Sequence, residues 1–113
     1  MKDYISLSHR QIHNDNIQML ANTQEPIIIW GAGSFAQSLL KTSPLTQCNI
    51  IGIVDRDPKK QGLSLMNHAI QHPNSLREHK HTKATILVTS IPFYAEIMQE
   101  INRMELQNRV VIA

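Results

Sequence analysis

The chain is poor in several things at once. It has one cysteine, one tryptophan, two phenylalanines and two tyrosines. A lone thiol, Cys48, has no partner for an intramolecular disulfide, which excludes a disulfide-stapled scaffold and fits a reducing cytoplasm. With so few aromatics, Ile, Leu, Val, Met and Ala must build the core. No apolar run approaches the roughly 20 residues of a membrane-spanning helix. The opening "MKDYISLSHRQIHNDN" lacks the apolar stretch of a secretory signal. The expectation is a cytoplasmic chain with no membrane partner. Charge is scarce too: the net charge is +2 over 113 residues. Lys59, Lys60, Lys80, Lys83, Arg103 and Arg109 are scattered, not gathered into a stripe, which speaks against a nucleic-acid partner. At this length one domain with a modest core is expected.

Reactive chemistry is equally sparse. His9 and His13 stand four apart on a segment that reads as a helix, the spacing of a metal pair, but no third ligand lies near. His68, His72 and "HKH" at 79–81 fall in loops, so no metal site is expected. Cys48 has no adjacent motif and reads as a small buried hydrophobe. No nucleophile, general base or carboxylate pair converges, so catalysis by this chain alone is not expected and no catalytic residue is assigned.

Glycine is also rare, with four in the chain, and two of these stand one residue apart in "PIIIWGAGSFA". The run "IIIW" is short, continuous and rich in β-branched residues, the pattern of a strand buried on both faces. "SFAQSLLKT" at 34–42 then puts Phe35, Ala36, Leu39 and Leu40 at helical spacing, and Ser43-Pro44 breaks it. "NIIGIVD" reads as a second strand ending on an acid. In "DPKKQG", Asp57 caps, Pro58 suits a first helical position and Gly62 a stop. "HAI" reads as a short third strand and Pro73 to Glu78 as a short helix with Leu76 inward. "ATILVTS" is a buried strand, Pro92 opens a helix with Tyr94, Ile97, Met98 and Ile101 on one face, and "RVVIA" is the last strand. Residues 1–25 form a lead-in with a helix carrying Ile12, Ile17 and Leu20, and residues 26–113 form the domain proper. Alternating strands and helices call for an α/β, Rossmann-like three-layer fold with a small parallel sheet of about five strands, "IIIW" lying between "NIIGIV" and "TILVT".

In that fold the glycines have a task. Gly31 permits the tight turn out of the strand, Gly33 lets a phosphate approach the backbone, and Ala36 lets the helix pack on the strand. The N–H groups of Ala32, Gly33, Ser34 and Phe35 then face an anion at the helix N-terminus. "GAGSFA" fits G-x-G-x-x-A, with strand before, helix after and an acid, Asp55, at the end of the next strand. Asp55 can accept from ribose hydroxyls or cap the turn that follows it. Arg56 can stack on an adenine or lie solvated. Asp55 would repel a 2′-phosphate, which favours NAD over NADP. Thr89 and Ser90 end the fourth strand of this reading, where they face the same crevice or cap the next helix.

Three blocks, "IIIWGAGSFAQSLL", "IIGIVDRDPKKQG" and "ATILVTSIPFYAEIMQEI", resemble the Rossmann-like C-terminal domain of bacterial sugar C-methyltransferases. They also resemble related nucleotide-binding domains of polysaccharide-biosynthesis proteins. Those families follow a W/Y-G-A-G turn with V-D-x-x-P-x-K-x-G, and the resemblance covers roughly residues 26–113. Where they place a Gly and a Pro near the third strand, this chain has Asn67, His68 and Ala69. The resemblance implies a module that binds a nucleotide or nucleotide sugar and serves a sugar-modifying transferase, its catalytic domain upstream or on a separate chain. The residues also admit a stand-alone NAD-binding or redox-sensing domain, or a protein-interaction domain with a degenerate site. The ligand class is thus NAD or another adenosine or nucleotide ligand, and a homodimer is left open.

Overall fold

The computed structural model describes residues 16–78, 81 and 83–113. Ile12, the His9–His13 pair and the first two residues of "HKH" lie outside the described residues. A helix, α1, covers residues 16–23. It is followed by β1 (Ile27–Trp30), α2 (Ser34–Thr42), β2 (Ile50–Val54), β3 (Ser64–Leu65), β4 (His68–Gln71), β5 (Thr85–Val88), α3 (Tyr94–Arg103) and β6 (Val110–Ile112). Short 3-10 turns at Pro44–Gln47, Pro73–Arg77 and Ile91–Phe93 join them, each carrying proline in its first positions. There the fixed φ suits the turn and the missing N–H costs nothing.

The sheet order is β3-β4-β2-β1-β5-β6. Strand β1 pairs in parallel with β2 on one side and β5 on the other, with Trp30 beside both Val54 and Val88. This is the expected arrangement, and it follows from burial. All four residues of β1 and of β5 are buried, as only central strands covered on both faces can be. Alternation of side chains then divides the core. Ile27 and Ile29 face one layer with Ile17, Leu20, Leu39, Leu45 and Cys48. Ile28 and Trp30 face the other with Leu76, Ile86, Ile97 and Ile101. Helices α1 and α2 therefore cover one face and α3 the other. Each such aliphatic side chain contributes about 1.5–3 kcal/mol on full burial.

The sheet has six strands, not about five, and one pair is antiparallel: β3 returns on β4 through Leu65↔His68. Met66 and Asn67 between them both have positive φ, +51° and +65°. Two such residues form the tight turn whose twist suits a hairpin. Asn67 tolerates this conformation readily. Met66 does not advertise it, so β3 is hidden in the sequence.

The amino ends of three strands are tied by one carboxylate. Glu25, just before β1, accepts from the hydroxyl of Thr85 at 2.6 Å and of Thr23 at 3.1 Å. Arg109, just before β6, donates to both of its oxygens at 2.8 Å. The Thr85 hydrogen bond, with those from Thr23 and Arg109 and the guanidinium charge, outweighs burial and holds the Glu25 carboxyl below its ordinary range. A carboxylate with a depressed folded pKa stabilises above its unfolded value and loses that contribution as pH falls through the folded one. Melting temperatures measured from neutral pH downward should therefore fall faster in the wild type than in Glu25→Gln below about pH 4.3, the ordinary glutamate value. Parallel curves would show that Glu25 does not hold the strands.

Candidate functional site

The turn after β1 is held from both sides. The Gly31 N–H donates to the Val54 carbonyl of β2 at 2.9 Å, and its own carbonyl accepts from the Thr89 hydroxyl at 2.8 Å. Its φ is +124°, and a Cβ there would stand 2.3 Å from Ser90 Oγ and 2.4 Å from Thr89 Oγ1. Gly31 is thus demanded by both conformation and space. Thr89, 2% exposed, turns inward and also reaches the Trp30 carbonyl. Its hydroxyl fastens the turn to β5 and is not presented to the crevice.

Gly33 differs. It caps α2 in an extended conformation, φ −87° and ψ −164°, which any residue adopts. A Cβ there would meet only Lys60 Nζ, at 3.4 Å. Neither backbone nor packing requires a glycine at this position, so what its absent side chain leaves is open approach to the backbone beneath an ammonium group. Helix α2 has no side-chain cap and no acidic residue in its first turn, which leaves its positive end uncompensated by its own sequence.

Asp55 joins the two loops. Its Oδ2 accepts from the Ala32 N–H at 2.8 Å, and its Oδ1 accepts from the Asp57 N–H at 2.8 Å. Lys60 Nζ stands 3.8 Å from Oδ2. The carboxylate is therefore the cap of its own turn and also the acceptor for the first N–H of the glycine turn. Ala32 N–H is committed to it, which narrows the expected anion donors to those that follow. Each carboxylate oxygen keeps a second acceptor direction. Asp57 caps as expected, accepting from the Lys59 N–H at 2.9 Å. Gly62 turns back at φ +87°, and the Gln61 amide donates to the Asp55 carbonyl at 2.9 Å.

Beyond the carboxyl ends of β1, β2 and β5 lies a cleft of about 480 Å³, lined by Trp30, Asp55, Arg56, Asp57, Lys60, Ser90, Phe93, Glu96 and Ile97. The volume is in the range of small-molecule sites. The chain runs from β1 to β2 on one side and resumes on the other side with β5, so the cleft sits where the strand order reverses, the usual ligand position in open α/β sheets. Of the residues singled out in the sequence, Asp55, Arg56 and Ser90 line it. Gly33 adjoins it through Lys60, whose Nζ would stand 3.4 Å from a Cβ at that glycine, whereas Gly31, Ala32, Ser34, Phe35 and Thr89 are not among the lining residues. Lys60, Phe93 and Glu96 were not foreseen as site residues. Lys60 had a signal: it follows Asp57 by three residues, and its N–H bonds back to the Asp57 carbonyl at 3.0 Å, returning the side chain toward Asp55.

Other candidates lie elsewhere. Cys48 is buried beside Ile17 and Leu45, and burial pushes its thiol up, away from nucleophilic use. Among the described residues, no group of three or more His, Cys, Asp or Glu gathers as a metal site would require, and no helix is long and apolar enough to cross a membrane.

The family model described as C2185-like, N-terminal, matches residues 23–112. No curated protein matches the chain. Among solved structures, the chain is similar to UDP-D-quinovosamine 4-dehydrogenase from Vibrio fischeri. The identity is 21% and the TM-score 0.58, over 78% of this chain and 76% of that one. At that identity the likeness is one of fold, and the fold is of the Rossmann type.

The two glycines should separate in substitution. Gly31→Ala forces both a clash and a left-handed alanine, a loss of at least 1–3 kcal/mol, which is several degrees in melting temperature for a domain of this size. Gly33→Ala should leave the melting temperature nearly unchanged. Thermal unfolding of both variants checks this, and equal losses would mean that Gly33 is also structural.

Proposed function

The chain belongs to the C2185-like N-terminal family, and from that premise we propose that it is a nucleotide-binding module that takes a nucleotide or nucleotide sugar and serves a sugar-modifying protein. The observation that carries this reading is Gly33, a glycine with no structural need, lying open beneath the Lys60 ammonium at the edge of the cleft. A phosphate at that point meets backbone N–H groups at the start of α2 and a mobile cation, the two components of an anion site. Asp55 sets the two loops at a fixed separation, and its remaining acceptor directions suit a ribose. The 2′-phosphate of an NADP-like ligand would meet this carboxylate, so a free 2′-hydroxyl is favoured.

The similarity to a dehydrogenase named for a UDP sugar supports nucleotide sugars as the class to test first. The blocks shared with sugar C-methyltransferases and polysaccharide-biosynthesis proteins support the same class and an accessory role beside a catalytic domain. The family's description as an N-terminal domain favours a catalytic partner on the carboxyl side, not the upstream position that the methyltransferase resemblance implies. In this reading Gly33, Ser34, Phe35 and Lys60 hold phosphate, Asp55 and Arg56 face the sugar or base, and Ser90 lines the wall.

A thermal-shift screen across UDP sugars, NAD, NADP, S-adenosylmethionine and coenzyme A tests the proposal. A ligand at a hundredfold its Kd stabilises by about 2.7 kcal/mol, and a UDP sugar should raise the melting temperature by several degrees on this ground. Gly33→Val should abolish the rise and Lys60→Met should reduce it. No rise with any compound, or an undiminished rise in Gly33→Val, overturns the reading.

A further inference from the structure

Two of the chain's few aromatic residues, Trp30 and Phe93, line this cleft. They are held very differently. Trp30 is 1% exposed and belongs to the core beneath, whereas Phe93 is 58% exposed. The packing of α3 does not call on Phe93, since Ile97 and Ile101 bury that helix against the sheet. Phe93 closes the 3-10 turn after β5, its N–H donating to the Ser90 carbonyl at 3.1 Å, with Pro92 stiffening the turn before it. The backbone at Phe93 is thus held, and more than half of the residue is left to solvent at the cleft.

Arg56 lines the cleft from the other side. It follows β2, while Phe93 follows β5, and these strands flank β1 on opposite edges. Strands two apart in a sheet stand roughly 9–10 Å apart, so the two residues stand on opposite sides of the cleft within reach of one bound group. Among the described residues Arg56 makes no ion pair, and arginine stacks on π faces as readily as it pairs with charge. The cleft's cations, Arg56 and Lys60, stand on the loop after β2 together with Asp55 and Asp57, whereas the wall with Phe93 carries Glu96 and, among the described residues, no cation. A phosphate therefore finds a positive partner over Gly33, at Lys60, and none beside Phe93.

We infer that Phe93 is the platform on which the base of a nucleotide stacks, with Arg56 over its other face, so that the cleft reads its ligand at two ends: the diphosphate at Lys60 and the base at Phe93. This rests on the nucleotide-binding reading of the same cleft and adds which moiety gives selectivity. The ligand is then a nucleoside diphosphate, free or carrying a sugar, and a sugar phosphate without a base binds poorly.

Calorimetric titration with UDP and with inorganic pyrophosphate tests it, on the wild type and on Phe93→Ala, Phe93→Leu and Phe93→Tyr. The wild type should bind UDP more tightly than pyrophosphate. Phe93→Ala should weaken UDP roughly tenfold or more, the usual loss when a base loses its aromatic partner, and leave pyrophosphate unchanged. Phe93→Tyr should retain UDP affinity and Phe93→Leu should not, because a leucine is apolar but has no face. The exposed position makes all three variants foldable, and an unchanged melting temperature verifies it. If UDP binds and Lys60→Met weakens it while Phe93→Ala does not, this inference fails and the nucleotide-binding reading stands. Equal wild-type affinity for UDP and pyrophosphate also overturns it. If neither probe binds, both readings fall.

Discussion

Gly31 is bonded through its N–H to one neighbouring strand and through its carbonyl to the other, and no atom can be added to its α-carbon. That crowding fixes the direction in which the chain leaves β1, and hence where α2 begins. Asp55 extends the constraint by one loop. It accepts one N–H from the glycine turn and one from the turn after β2. Hydrogen bonds to a charged acceptor stabilise by about 1.5–3 kcal/mol each, so the two loops cannot drift apart cheaply. The cleft wall inherits this rigidity, since Asp55, Arg56, Asp57 and Lys60 all stand on the loop that Asp55 secures.

The two ends of the sheet carry opposite assignments. At the amino ends, Glu25, Thr85 and Arg109 satisfy one another, leaving a closed cluster with a structural part to play. At the carboxyl ends, the charged groups are only partly matched. Lys60 is 3.8 Å from Asp55, too long for a strong hydrogen bond, and Arg56 and Glu96 make no ion pair among the described residues. This end, with spare charge, spare acceptor directions and an exposed aromatic residue, is the one where we propose that a ligand binds.

How much of this was legible in the sequence follows from how local each cause is. Strands β1 and β5 showed as apolar runs because burial on both faces leaves no other pattern, β2 showed as an apolar run although only its Ile53-Val54 end is fully buried, and their parallel pairing followed from the connections between them. The glycine turn showed because Gly31 is required by a backbone conformation. Strand β3 did not show: it has two residues, and its turn is made by Met66-Asn67 without a glycine. The Glu25 cluster joins residues 60 and 84 positions apart, which no spacing rule reaches. Thr89 was assigned to the crevice with Ser90 because both end β5. Both follow β5 and both hydroxyls stand beside Gly31, but the Thr89 hydroxyl is taken up by the Trp30 and Gly31 carbonyls, a pairing that no spacing announces. Phe93 read only as part of a helix opening, since whether a ring is buried or offered to a cleft is decided by the layers around it.

The central claim is that an anion enters at Gly33 and Lys60, at the carboxyl end of β1. The most direct measurement is a ¹⁵N–¹H correlation spectrum of the labelled chain, titrated with UDP. The account predicts that saturable shifts concentrate in the amides of residues 33–35, of the non-proline residues of 55–60 and of those of 90–96, with the Gly33 amide moving furthest toward the charge-assisted hydrogen-bonded range. Shifts centred on Glu25, Thr85 and Arg109, or a spectrum that UDP leaves unchanged, would contradict it.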